Sequence, residues 1–263
     1  MAPKPKVAPG KMGVNKWDEE LAKRAKLAAG VEESAMVGGS WIRTRGGVLS
    51  FNGAEIPGNK LNVIILDHIL ENHYYPARFD PKKSNTPSCY AFARKLEDLV
   101  PHEKCSAPQS ETCKGCPMND WGTADTGKGK ACANSRRLAV IPESGLEDIE
   151  AAEVAYVQVP VTSVKGWAGY VDQLNKTLHR PPFAVLTELS LEKDEATQFK
   201  MKFRMVSTID DGDSLGALLA KADIVAEGIA FPYPEAAEEE EAPAPKGKAK
   251  PAKFAAPVAK GRR

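Results

Sequence analysis

The spacing of apolar positions changes several times along this chain, and each change marks an element. Trp17 to Ala29, rich in Ala, Leu, Lys and Glu, predicts a helix ahead of the core. From Ser40 the spacing shortens. Trp41 to Arg45 alternates weakly, Gly46-Gly47 marks a turn, and Val48 to Phe51 predicts a second strand. Asn52-Gly53 is a strong hairpin dipeptide. Leu61 to Leu66 is mostly apolar and β-branched, which suits a buried strand. Asn72 to Phe79, with Tyr74 and Tyr75, predicts a further strand returning beside it. This is a β-meander, the start of a small barrel or sandwich.

A loop-rich segment follows, and regular patterning resumes at Leu138 to Ile141 and Ala155 to Val159, both read as strands. Ser163 is placed to cap a helix from Val164 to about Leu178, in which Val164, Trp167, Val171, Leu174 and Leu178 share one face. Phe183 to Leu191 predicts a strand. Gln198 to Val206 sets Phe199, Met201, Phe203 and Met205 against Lys200, Lys202 and Arg204, a period-two pattern with one apolar face. Ser214 to Ala226 predicts a last helix. The order fits a β-rich α+β fold, an OB-like barrel with an insertion at about 85–137.

Composition divides the 263 residues into three. Residues 1–36 are rich in Lys, Ala, Pro and Gly and predict a flexible N-terminal arm. Residues 37–231 hold the core. Residues 232–263 predict a disordered charged tail, because such composition buries too little apolar surface to offset ordering entropy. That tail has five acids, Glu235 and Glu238 to Glu241, followed by seven Lys or Arg, so the net charge of +1 hides strong segregation. No run of 18 apolar residues exists and no apolar leader opens the chain, so a cytoplasmic protein is expected.

Cysteine is the most concentrated chemistry. Cys105, Cys113, Cys116 and Cys132 lie within 28 residues, and Cys113-Lys-Gly-Cys116 is a C-x2-C pair. Four thiolates satisfy tetrahedral zinc, and a closed four-ligand site is structural. His102 is an alternative fourth ligand, and Cys89 reads as a small buried side chain. Inside the segment, Gly122 to Lys128 matches the start of a phosphate-binding loop. It fails at Gly129, where Ser or Thr is needed to hold magnesium. A glycine-rich basic loop remains, with Lys128, Lys130, Arg136 and Arg137 and no acid between them.

Aromatic and basic residues interleave elsewhere. Trp41, Arg43, Arg45 and Phe51 fall in the first strands, Tyr74 and Tyr75 in the fourth, and Trp121 in the cysteine segment. Single-stranded nucleic acid calls for that mixture, since bases stack on rings while cations follow phosphates. Asp67, His68, Glu71 and His73 form the one cluster suggestive of catalysis. The five-residue step between the histidines suits neither a helix face nor a strand face. No catalytic residues are therefore expected.

The run from Cys113 to Ala124, then Gly127 to Cys132 and Arg136 to Val140, resembles a group of tailed-phage proteins with a cysteine-rich zinc segment. Val161 to Trp167 and Pro182 to Thr187 extend the likeness, which spans about Gly39 to Phe203. The architecture also resembles phage single-stranded-DNA-binding proteins, whose structural zinc sits within an OB-fold core and includes one His ligand. The resemblance implies a non-catalytic protein that binds single-stranded DNA in replication or recombination. The acidic block Glu238 to Glu241 is read separately, either as a solubility device or as a docking tail for replication or recombination proteins. The alternative is a phage protein-interaction module, either a virion component or a factor that binds host machinery.

Overall fold

The computed structural model describes residues 21, 23–24, 40–51, 53–76 and 86–234. The expected helix over 17–29 lies mostly outside these residues, as do the expected arm, Phe79 and the tail beyond 234. Within them the chain is strand-rich α+β, as the patterning predicts. Nine strands form one sheet: β1 (Ser40–Arg43), β2 (Ser50–Phe51), β3 (Ala54–Glu55), β4 (Lys60–Tyr74), β5 (Cys89–Ala93), β6 (Ala133–Pro142), β7 (Ala155–Val159), β8 (Val185–Asp194) and β9 (Gln198–Thr208). Their order is β3-β2-β1-β7-β6-β4-β8-β9, with β5 also on β4. Among the described residues only the β1–β7 pair is parallel.

β4 is the axis of this sheet. β6 follows it from Val63 to His73 along one edge. The other edge is shared, with β8 on Lys60 to Val63 and β5 on Leu70 to Tyr74. The break expected after Leu66 does not occur. A bulge between Ile65 and Asp67 absorbs the irregularity, and the strand runs on for 15 residues. Its polar residues are tolerated because distant groups meet them. Arg94 grips Asp67 with two hydrogen bonds, at 3.0 and 2.6 Å.

One helix covers each face. α1 (Val164–Leu178) lays Trp167, Tyr170 and Leu174 on Val63, Ile65, Leu138, Val157 and Leu189. α2 (Gly212–Gly228) lays Leu218, Ala222 and Val225 on Ile64, Leu66, Ala139 and Ile141. Alternate residues of β4 and β6 thus enter different cores, so their central runs are apolar without a break. Ser163 precedes α1 but makes no side-chain cap. Its hydroxyl instead accepts the Met201 amide at 2.9 Å and ties the helix start to β9. Asp211 does cap α2, accepting from the Ser214 amide at 2.8 Å.

The sheet curls. Its first turn reaches β9, where Phe199 lies over Gly47. A Cβ there would fall 1.9 Å from the ring, and φ is +80°, so only glycine fits. Gly53 closes the β2–β3 turn at φ +81°, in keeping with the Asn-Gly signal.

On the α2 side, two charges are buried completely. Arg137 on β6 meets Glu71 on β4 at 2.6 Å, and both side chains are 0% exposed. The guanidinium also donates to the carbonyls of Ile229, at 3.1 Å, and Phe231, at 2.8 Å. Glu71 accepts from Gln158 at 2.7 Å and from the Tyr233 hydroxyl at 2.9 Å. Rings of Phe92 and Phe231 lie 4.1 and 4.3 Å from the guanidinium carbon. This corrects two expectations. Arg137 is an internal clamp and no part of a basic surface. The core does not end at residue 231, because Pro232 to Pro234 continue as a strap over the sheet, with Pro234 accepting from Thr86 at 3.0 Å.

Removing Arg137 strands a buried carboxylate, so Arg137→Ala should lower unfolding free energy by about 3–5 kcal/mol in urea denaturation. Ending the chain at Ala230 removes Phe231 and Tyr233 from the clamp and should lower the urea midpoint. The pH dependence has a definite sign. Burial pushes the Glu71 carboxyl up, but Arg137 and the hydrogen bonds outweigh this and hold it below its usual 4.5. Burial also holds His73, beside it, below its usual 6.5. Groups lowered by folding stabilise the fold above their unfolded values and lose that contribution as pH falls. Stability should therefore decline from pH 6.5 downward and more steeply below 4.5, and Glu71→Gln should flatten the lower part.

Candidate functional site

Beyond its bulge, β4 does different work on its two sides. Glu71 faces the clamp, while Leu70 and Asn72 face the α1 side. β6 places Arg136 opposite Leu70 and Asn134 opposite Asn72. The Asn134 amide donates to the Asn72 side chain at 2.9 Å and makes a polar floor. α1 starts only at Val164, so this end of the sheet is left open. The result is a cleft of about 490 Å3, whose lining also includes Leu96, Glu97 and Leu99 and, from the cysteine segment, Lys114, Asn119 and Lys130.

Three cations border the cleft. Lys130 reaches Asn119 Oδ1 at 3.1 Å. Arg136 donates to the Ser135 carbonyl at 2.7 Å, and burial lowers its pKa. Lys114 is exposed. Glu97 is the one acid among the lining residues. Such a lining suits an anion, with amides able to donate or accept beside the charges.

The cysteine segment supplies the wall. It is not loop throughout, since it begins with β5, and the Cys113 amide donates to Leu99 at 3.0 Å. Residues 118–132 fold into a finger. Cys132 N–H bonds Met118 at 2.8 Å, and Gly122 N–H bonds Gly129 at 2.7 Å. Gly122, Gly127 and Gly129 have φ of +89°, +67° and +92°. A short 3-10 turn at Pro117–Asn119 precedes this loop and β6 follows it, where a P-loop has a strand before and a helix after. Trp121 stands out of the finger, 81% exposed.

All five cysteines are free thiols. Cys89, Cys113, Cys116 and Cys132 line one cavity of about 10 Å3, together with Asn72 and Asn119. Cys105 is not in that lining. Its sulfur accepts from the Tyr90 amide at 3.1 Å and donates to the Tyr90 carbonyl at 3.2 Å. Burial pushes three of the thiols up: Cys113, Cys89 to about 11 and Cys132 to about 12. Among the described residues, no three His, Cys, Asp or Glu side chains converge as metal ligands. Four cysteines among the residues lining that cavity carry the donor type zinc prefers, but their side chains are not drawn together as ligands.

The other expected residues disperse. Trp41 is half-buried against Tyr156 and Phe231, both at 5.9 Å. Phe51 packs on the α1 core. Arg43 is exposed on β1, and Arg45 opens the turn before β2. Tyr74 is half-buried, and Tyr75, 39% exposed, stands edge-on to His73. Lys128 is exposed on the finger. The Asp67-to-His73 cluster is divided: His68 lies against Trp167, Asp67 holds Arg94, and Glu71 belongs to the clamp. Sequence reading did not find Asn72, Asn119 or Asn134, since single amides carry no spacing signature. Lys114 was in view inside the C-x2-C pair.

Comparison with protein-family models, curated proteins and solved structures finds no match for this chain. Among the described residues, no helix is long and apolar enough to cross a membrane.

The finger's shape depends on Thr123, whose hydroxyl contacts the Asp120 carbonyl at 2.7 Å and accepts the Ala131 amide at 2.9 Å. Thr123→Val keeps the volume but removes both bonds. Amide hydrogen exchange over 118–131 should rise by roughly tenfold or more, for a local loss of about 1–3 kcal/mol, with exchange in β4 and β6 unchanged.

Proposed function

We propose that this chain is a non-catalytic single-stranded-DNA-binding protein acting in phage replication or recombination, and that the cleft beside the finger is its interface. The observation that carries the reading is the grouping of Lys114, Lys130 and Arg136 around an open, amide-floored cleft. In this reading the cations neutralise successive phosphates, and Asn72, Asn119 and Asn134 meet base edges or sugars. Trp121 stacks one base, a contact worth about 1–3 kcal/mol. Duplex DNA keeps its bases stacked inside and offers Trp121 nothing, which gives the preference for single strands. An OB-like character for the curled sheet and a structural zinc in the cysteine segment belong to the same proposal. The zinc would supply no chemistry on substrate. It would hold the wall that presents Lys114 and Asn119.

A second reading is a protein-docking module, favoured by exposed apolar groups on the same segment: Trp121, Leu96 at 70% and Val100 at 50%. Fluorescence anisotropy separates the two. Oligothymidylate should bind tightly at low salt and duplex more weakly. Each neutralised phosphate of a single strand contributes about −0.7 to the slope of log K against log salt, so three cations give roughly −2. Lys114→Ala/Lys130→Ala/Arg136→Ala should flatten that slope. Trp121→Ala should weaken binding about tenfold at every salt concentration. Equal affinity for both DNA forms, or none, would overturn the DNA reading.

A further inference from the structure

The zinc proposal leaves open which sulfurs hold the ion, and the chain has one thiol more than a tetrahedral site takes. We infer that the ligands are Cys89, Cys113, Cys116 and Cys132, and that Cys105 stands outside the set. This inference rests on the reading of the segment as a zinc site and assigns its donors.

The cavity is the first ground. Those four cysteines line a single void of about 10 Å3, and Cys105 does not. A void of that measure takes about one atom-sized occupant. The second ground is what Cys105 already does. Its sulfur donates to the Tyr90 carbonyl at 3.2 Å and accepts from the Tyr90 amide at 3.1 Å. Both backbone contacts are to one residue of β5, and they hold the Cys105 sulfur beside Cys89 without placing it in the lining of the void.

Placement is the third ground. Cys89 is the first residue of β5 and pairs with Tyr74 on one edge of β4. Cys132 directly precedes β6, whose Ala133 pairs with His73 on the opposite edge. Two donors thus sit at strand ends that flank the last turn of β4, where backbone hydrogen bonds fix them. The other two come from Cys113-Lys-Gly-Cys116, in which Gly115 has φ +77° and folds the pair back on itself. Metal binding draws the four sulfurs together by side-chain rotation and staples the C-x2-C loop to the sheet end. Asn72, Cys113 and Asn119 border both the cavity and the basic cleft, so the same staple sets one wall of that cleft.

The lone local signal in the sequence, the grouping of four cysteines between 105 and 132, points to a different set. Cys89 is nearer to the pair in space than its sequence position suggests, because β5 returns beside β4.

The test uses full-length protein purified under reducing conditions, with metal content measured by mass spectrometry. Wild type and Cys105→Ser should each carry about one zinc per chain. Cys89→Ser should lose it or hold it far more weakly against a chelator. Should Cys89→Ser prove insoluble, iodoacetamide labelling of the wild-type zinc protein gives an independent answer. Cys105 should then be modified first, with the other four reacting only after the chelator is added. Zinc lost from Cys105→Ser and kept by Cys89→Ser, or protection of Cys105 with free reaction of Cys89, would overturn the assignment alone. A wild-type ratio near zero would instead remove the zinc reading on which it stands.

Discussion

Neither Glu71 nor Arg137 can be buried alone, and much of the rest of the structure depends on their meeting. Both lie at zero exposure, where an unpaired charge costs several kcal/mol even after relaxation. The pair is acceptable because its hydrogen-bonding groups are met from four directions: β4, β6, Gln158 on β7 and the strap of residues 229–233. The register of β4 on β6 follows from this. A slip of one residue would turn Glu71 toward the α1 side and leave Arg137 among rings without its carboxylate. With the register set, the alternate residues Leu70, Asn72, Asn134 and Arg136 have no choice but to face the cleft. One buried ion pair therefore fixes both the closed side of the sheet and the open one.

The cleft and the cysteine cavity are parts of a single construction at the far end of β4. They share Asn72, Cys113 and Asn119. Anything that tightens the cavity tightens one wall of the cleft, and an occupant of the cleft presses on that wall in return. The finger is better ordered than its glycine content suggests, because Thr123 and the Gly122–Gly129 contact cross it. An exposed tryptophan on such a support is presented from a hydrogen-bonded backbone. That suits a contact surface, in keeping with either reading of what the surface meets.

The element types were largely legible in the sequence. Period-two alternation marked β9, the 3.6-residue spacing of Trp167, Val171 and Leu174 marked α1, and glycine pairs marked the turns at 46–47 and 53. These signals are local, set by backbone sterics and by which face is wetted. The cysteine spacing likewise marked a segment whose thiols gather at one end of the sheet. Legibility failed where a residue's fate depends on a distant partner. Asp67 and Glu71 look like the polar end of a strand, yet β4 continues through them because Arg94 and Arg137 arrive from elsewhere. Pro232 and Tyr233 read as the start of a tail, yet Tyr233 donates to a carboxylate 162 residues away.

The sequence by itself determined an α+β, strand-rich chain with one dense cysteine segment, charged ends and few catalytic candidates. Only the tertiary structure decided which charges are surface and which are core. Arg136 and Arg137 are neighbours of one type in one basic run, and no local pattern separates them. Strand alternation sends one into a cleft and the other into a cage of rings, and pairing across 66 residues with Glu71 settles which is which. The same holds for the thiols. Spacing along the chain groups Cys105 with the C-x2-C pair, whereas the return of β5 beside β4 brings Cys89 to the cavity in its place. Hydrogen bonding between strands, not distance along the sequence, decides what is adjacent.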